Sequence, residues 1–490
     1  MASHTDAMVG QVQQEFQALL AYVIGPETTA STAYEVERTL FRRLLALGLS
    51  LLRLCFLTRA AERPPTPARG PADPPWTAHG RRPATYRSVF GKLTFARHAF
   101  SAPGQPMAYP LDARLSLPAD CSSDLLREWA AYGSTDAAYR ETQTLLECIL
   151  GQRLSVQALE TSLASDAADV AGFWERPTDP TAPAPLGAIV VAQADGKGVP
   201  IVLPPSAARP ARRGKGHPPD AKREAVVTAL STIAPYPRTP QEVVAALLRE
   251  ADLPPRPARP RPVGKELRAT LDGKDAALTR LAHRVAQREH AAIEHRVALT
   301  DGAEALQQRM LTHLPGFTLV LDIIHASEYL WDAANALLGE RHPDRTAWMR
   351  RHLEQVLSGQ ATTVIATLEA QLTDPARTPS QRETVQKAVG YYRRNLPFMR
   401  DDEYLARGWP IGTGVVEGAC GHLVKDRMEQ AGMRWTKPGA QAVLDLRAVR
   451  LTGAWDAYWQ FHRQQQHRRL YGLATSVPAS PEAHLLEPAA

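Results

Sequence analysis

Four cysteines in 490 residues, at positions 55, 121, 148 and 420, are too few and too scattered for a disulfide framework, and no CxxC pair supplies half of a zinc site. Long apolar runs are missing too. None approaches the roughly 20 residues that cross a bilayer, and the nearest, 44–57, is broken by Arg53, so a buried helix is expected there and no membrane partner. The opening Met1-Ala2-Ser3-His4-Thr5-Asp6 has neither the basic nor the apolar region of a signal peptide, which makes a cytoplasmic protein the expectation. No internal repeat of solenoid length is present.

Proline is plentiful instead, with 40 residues, and its clusters divide a chain too long for one core. Residues 1–60 read as a helical region, because Val12, Phe16, Leu19, Leu20, Val23 and then Leu40, Leu44, Leu45, Leu49, Leu51 recur at helical intervals. A proline-rich linker is expected at 61–85. From 86 to 172 the chain looks first extended and irregular, with Arg87, Lys92 and Arg97 interleaved with Tyr86, Phe90, Phe95 and Phe100, a mixture that suits either a nucleic-acid surface or a solvated basic face. Helical periodicity then returns. The turn Gly151-Gln152-Arg153-Leu154-Ser155 between two amphipathic stretches is compatible with a helix-turn-helix, although many helical hairpins look the same. The net charge of +6 is mild evidence for an anionic partner.

A second proline linker, 173–186, precedes a change of texture to strands. The runs 188–194 and 199–203 suggest a hairpin around Asp195-Gly196-Lys197-Gly198, and 224–236 a third strand. The loop before 224 carries Arg209, Arg212, Arg213 and Lys215, which suits phosphate contacts. After an irregular proline stretch at 254–262, a mostly polar helix runs to about 295. Strand 297–300 leads to Asp301-Gly302, a helix follows, and 317–324 reads as a buried strand. Residues 187–325 thus form the first part of an α/β core, 326–408 an all-helical segment, 409–455 a final core helix and 456–490 a tail.

Three carboxylates stand out. Asp195 and Asp301 each close an apolar run before a glycine, and Glu417 opens a helical pattern after Gly412-Thr413-Gly414. They lie more than 100 residues apart, yet strand ends and a helix start can converge. Converging carboxylates suit hard divalent cations, and a pair of such ions serves in-line displacement at phosphorus. Each residue alone has an ordinary explanation: Asp-Gly ends strands in turns, and a glutamate near a helix start complements the dipole.

The segments ADGKGVP at 194–200, LTDGA at 299–303, LDIIHASEYLWDAANALLG at 321–339 and GTGVVEGACGHLVKDRMEQAGMRW at 412–435 resemble DDE transposases, more narrowly the ISKra-type insertion-sequence family numbered four; PLDARLSLP at 110–118 fits loosely. The resemblance covers most of 86–455. It implies a ribonuclease H-like mixed sheet flanked by helices, a helical insertion at 326–408 and a mainly helical N-terminal DNA-binding region. It also implies Asp195, Asp301 and Glu417 as catalytic ligands of two Mg²⁺ ions, for which Mn²⁺ substitutes. The implied partners are double-stranded DNA, at the element's inverted repeats and at the target, and further copies of the chain on that DNA, in the bacterial nucleoid. Asp322 and His325 match a C/DxxH signature of Mutator-like relatives and support the site, and Asp322 competes with Asp301 for the second place. Lys197, Lys425, Arg427 and Trp435 are expected on DNA, with Trp409 a further stacking candidate, although each taken alone is more often a surface cation or a packed aromatic. A binder that has lost catalysis and a structure-specific nuclease are the competing readings. The cysteine-rich zinc ribbon of some relatives is absent from 86–121.

Overall fold

The computed structural model describes residues 2–62, 74–176, 187–202, 222–250, 257–289, 291–430 and 432–472. The chain forms two compact units, 1–169 with 456–490, and 170–455. In the first unit α1 (Ala2–Ile24), the short α2 (Pro26–Thr29) and α3 (Ala33–Ala61) precede a two-stranded sheet, β1 (Thr77–Ser88) and β2 (Gly91–Ser101). A capping box between Thr32 and Glu35 starts α3. Its leucine, alanine and arginine content keeps it helical for 29 residues. Gly48 within it lets the Phe90 ring approach to where a Cβ would be 2.6 Å away. Contrary to expectation, α3 is mostly unburied: only 17% of its most apolar window is covered, although it is long and apolar enough, by length and composition, to cross a membrane.

The expected linker at 61–85 is also shorter than the sequence suggests, since β1 begins at Thr77 and 63–73 lie outside the described residues. The irregular stretch is instead a regular hairpin, because Leu93 and Phe95 alternate inward against Phe56 of α3 while Lys92 and Thr94 face out. Its basic residues are partly used internally: Arg97 pairs with the buried Asp112, and Arg81 donates to the Ala60 carbonyl at 3.2 Å. After α4 (Pro110–Arg114) and α5 (Asp124–Asp136), α6 (Tyr139–Leu150) ends at left-handed Gly151, and Ser155 caps α7 (Val156–Asp166) by accepting from Ala158 N–H at 3.1 Å.

The second unit opens with α8 (Val170–Glu175), whose buried Phe173 and Trp174 place folded chain inside the supposed linker 173–186. A five-stranded sheet follows, built from β3 (Ile189–Pro200), β4 (Lys222–Ile233), β5 (Val263–Thr270), β6 (His295–Thr300) and β7 (Thr318–Leu321) in the order β5-β4-β3-β6-β7. β4 runs antiparallel to both its neighbours, β3 and β5, while β6 and β7 run parallel to β3. Helices α9 (Pro240–Leu247), α10 (Lys274–Arg288) and α11 (Glu304–His313) intervene. The fold is therefore mixed α/β, a mixed sheet flanked by helices. Two expectations fail here. No hairpin forms around Asp195-Gly196-Lys197-Gly198, because β4 pairs with every residue from Ile189 to Pro200 and holds the segment extended. The polar stretch before α10 contains β5, which lies at the edge of the sheet among the described residues and so needs no strong apolar pattern.

Beyond β7 come α12 (Ile323–Leu338), α13 (Arg345–Leu357), α14 (Ala361–Thr373), α15 (Pro379–Asn395), a 3₁₀ turn (Leu396–Phe398) and α16 (Asp401–Ala406). The strand expected over 317–324 stops at Leu321, since Asp322 caps α12 by accepting from Ile324 N–H at 2.9 Å. These helices cover one sheet face through Ile189, Val191, Val297, Leu299 and Val320, and α10 and α11 pack with Val190, Ala192 and Ala298 on the other. The unit closes with α17 (Gly414–Ala419), a π-helical turn (Cys420–Lys425), α18 (Asp426–Met428) and α19 (Lys437–Leu451). Finally α20 (Trp455–Tyr471) shows that the expected tail is helical as far as 471, while 473–490 lie outside the described residues. From Asp456 it belongs to the first unit, where buried His462 bonds Asp169 at 2.7 Å and Tyr458 donates to the Asp166 carbonyl.

Candidate active site

Strand pairing brings the two aspartates together. In the parallel pair β3/β6, Gln193 lies opposite Leu299, so two residues further on Asp195 and Asp301 occupy matching positions. Side chains alternate along a strand, so both project from the face that carries Val191 and Leu299, toward the α12–α16 side. Asp195 stays in β3 and Asp301 leaves β6 in a turn. Gly302 makes that turn with φ +94°, a value a side chain resists, and a Cβ there would be 2.9 Å from the Tyr391 ring. The Asp301 carboxylate accepts from Ala303 N–H at 2.9 Å, and Tyr391 of α15 donates its hydroxyl to the Asp301 carbonyl at 2.8 Å.

The third carboxylate arrives over the same face. Gln193, buried on β3, accepts from Val416 N–H at 2.8 Å and so pins the first turn of α17 to the sheet. Glu417 follows, half-exposed. Its carboxyl is pushed above the usual range by partial burial first and then by repulsion from Asp195, with Asp322 and Asp301 adding to it and His325 opposing it. One turn on, the buried Cys420 thiol donates to Asp195 at 3.2 Å, and burial together with that carboxylate pushes the thiol well up. The π-helical turn that starts at Cys420 widens the helix at this point, a local device frequent at functional sites.

Asp322 has a different environment. It is fully buried, and its oxygens accept from Ile324 N–H, from the Thr413 hydroxyl and from His325 Nδ1 at 2.8 Å. With its lone pairs engaged, it suits a brace better than a metal ligand. His325 turns its Nε2 toward Glu417, 3.9 Å away, and its pKa is raised to about 9, chiefly by the hydrogen bond to Asp322. Asp322, His325 and Thr413 therefore form a chain ending at Glu417.

Asp195 and Asp301 lie near enough to Glu417 to push its carboxyl up, without making a closed ligand shell. Among the described residues no three His, Cys, Asp or Glu side chains form a group that could hold an ion as they stand. The donor set still fits a hard divalent cation, because oxygen ligands of like charge are what such an ion draws together.

Of the residues expected on DNA, Lys197 is half-buried beyond Asp195 and Lys425 is exposed. Two others are misplaced by the sequence reading. Arg427 is fully buried with its guanidinium 4.7 Å from the Trp435 ring, and Trp435 is 6% exposed, donating to the Met428 carbonyl at 3.2 Å. They hold the 412–435 segment together, and apolar surroundings keep both from a nucleic acid. Trp409 is likewise buried, stacked on Tyr404. Arg209, Arg212, Arg213 and Lys215 lie outside the described residues. The sequence reading missed Gln193, Cys420, Thr413 and Tyr391, whose importance rests on contacts across more than 60 residues of chain. It missed too the exposed Arg259 and Arg261, which line a cleft with Gln193, Gly412 and Gly414; the dibasic spacing in a proline-rich stretch was the available signal.

Compared with known proteins, the chain matches no family model and no curated protein.

Proposed function

We propose that the 170–455 unit is a metal-dependent DNA-cleaving and strand-joining domain of the DDE transposase kind, with a ribonuclease H-like fold and Asp195, Asp301 and Glu417 as its metal ligands. One observation carries the reading: the Gln193–Val416 hydrogen bond delivers Glu417 over the sheet face that carries Asp195, where partial burial first and then Asp195, Asp322 and Asp301 push its carboxyl up. Carboxylates crowded in this way are costly unless a cation is meant to sit among them. The strand order supports it, since the first strand of the sheet, β3, lies centrally beside the fourth, β6. Resemblance in the four segments quoted above supplies the narrower class.

In this reading Asp195, on the central strand, Asp301 and Glu417 would hold divalent cations such as Mg²⁺, which would supply activation of the attacking oxygen and charge stabilisation of the leaving one. The Asp322–His325 pair orients Glu417 from behind. Lys197, Lys425, Arg259 and Arg261 neutralise backbone phosphates beside the site. The α6–α7 segment is the element for binding ends, although the exposed face of α7 shows Gln157, Glu160 and Thr161 and no lysine or arginine, so phosphate contacts there fall to its neighbours.

The test pairs gel-shift titration with cleavage and strand-transfer assays on DNA carrying the inverted repeats that flank the gene. Asp195→Ala, Asp301→Ala and Glu417→Ala should each abolish Mg²⁺-dependent cleavage and leave binding intact. Asp322→Asn should retain measurable cleavage. Full cleavage by Asp301→Ala or Glu417→Ala would remove the mechanism, and cleavage without joining of a 3′-hydroxyl end would make the protein a nuclease.

A further inference from the structure

Among the described residues, the first unit carries an apolar surface that nothing covers. Helices α1 and α3 form an antiparallel hairpin: Ser50 donates to Glu15 at 3.0 Å near one end, and the Arg43 guanidinium lies 4.1 Å from the Tyr22 ring near the other. Buried Leu19 and Tyr22 mark the face of α1 that meets α3. Alongside that face α1 exposes Val9, Phe16, Leu20 and Val23, spaced by seven, four and three residues. Along α3 the exposed positions Tyr34, Phe41, Leu44 and Leu51 are spaced by seven, three and seven. This is heptad spacing on both helices, the pattern by which one helix seats on another. Large exposed apolar patches mark interaction sites.

We propose that this hairpin is a dimerisation surface, on which a second copy of the chain places the same two stripes and closes a four-helix bundle. The area agrees. Nine large apolar side chains on these helices, Ile24 included, are 37–85% exposed, and together they offer on the order of 800 Å², one partner's share of a standard interface. Charge favours a two-fold arrangement with α1 of each copy against α3 of the other. Helix α1 contains Asp6 and Glu15 and no lysine or arginine, whereas α3 contains five arginines against Glu35 and Glu37. A like-on-like pairing would set arginine against arginine.

A bilayer suits the surface less well, despite the apolar length of α3. Phe56 and Ala60 of that helix are packed against Leu93 and Phe95 of the sheet, and Ala60 accepts from Arg81, so lipid cannot surround it. The inference is independent of the catalytic reading, which concerns the other unit.

The experiment is sedimentation equilibrium on the full chain, nuclease-treated and without DNA, from sub-micromolar to tens of micromolar concentration, beside flotation with phosphatidylcholine vesicles. The wild type should sediment at twice the mass of one chain and stay below the vesicles. Phe16→Glu combined with Leu44→Glu should raise the dissociation constant by at least about 100-fold, as expected for charges buried at the centre of an interface. The far-UV circular dichroism should be unchanged, because both side chains are exposed in one copy; should the glutamates unfold the hairpin, Phe16→Gln with Leu44→Gln serves the same comparison. A wild type that is monomeric throughout, a variant as associated as the wild type, or a wild type that floats with vesicles would each overturn the proposal.

Discussion

Replacing Glu417 by glutamine should separate a crowded ligand from a structural ion pair. In the metal-free protein, burial and three neighbouring carboxylates raise the Glu417 pKa. An acid whose folded pKa exceeds its unfolded value binds more protons folded than unfolded, so it disfavours the folded state as pH rises through that window from 4.5 upward. At neutral pH the ionised carboxyl therefore destabilises. The side chain is 41% exposed, so solvent screening reduces each repulsion to a few tenths of a kcal/mol and their sum to about 1 kcal/mol. Glu417→Gln keeps the shape and removes the charge, so the melting temperature without metal should rise by about 2–4 °C for a unit of this size. Magnesium should reverse the order. With a dissociation constant near 1 mM, 10 mM Mg²⁺ stabilises the wild type by about 1.4 kcal/mol, and the glutamine variant, lacking a ligand, should gain less. Differential scanning calorimetry with EDTA and with Mg²⁺ reads both effects. A variant that melts lower than the wild type in EDTA, with no response of the wild type to Mg²⁺, would mean that Glu417 serves the contact with His325 and that no metal site exists.

Three other outcomes follow from the same geometry. His325, its pKa raised to about 9 by Asp322, contributes stability that is complete below its unfolded pKa of about 6.5 and lost as pH rises through 9; urea titrations at the two pH values should show a fall, on the order of 2 kcal/mol, that His325→Gln lacks. Gly302→Ala should destabilise by about 2–3 kcal/mol in the same assay, since it adds a Cβ at φ +94° against Tyr391, and should impair cleavage by moving Asp301. Arg427→Ala should cost about 3 kcal/mol because it empties a buried, stacked position, whereas Lys425→Ala should leave stability unchanged and lower the salt slope of DNA binding by about 1.

What the sequence determined by itself is local. The apolar runs before Asp195 and Asp301 are strands, Gly302 is a turn glycine, and the Gly151 and Ser155 caps end α6 and begin α7 as their side chains require. Each depends on backbone preferences within a few residues, and those are written in order along the chain. The helices of 326–405 are legible for the same reason, as their apolar spacing repeats over several turns. Tertiary structure decided the rest. Asp-Gly-Lys-Gly is a turn signal in isolation, yet twelve paired residues of β4 hold it extended, because a ladder of hydrogen bonds outweighs a local preference. Asp301 and Asp322 differ in their partners: the Asp301 carboxylate accepts from Ala303 N–H in the turn after β6, while Asp322 is enclosed by Thr413 and His325. Arg427 is a candidate for phosphate and Trp435 for base stacking until folding buries them against each other. Burial and charge proximity are properties of residues distant in the chain, so composition and periodicity leave them open, and only the packed fold assigns which carboxylates meet and which cations face the solvent.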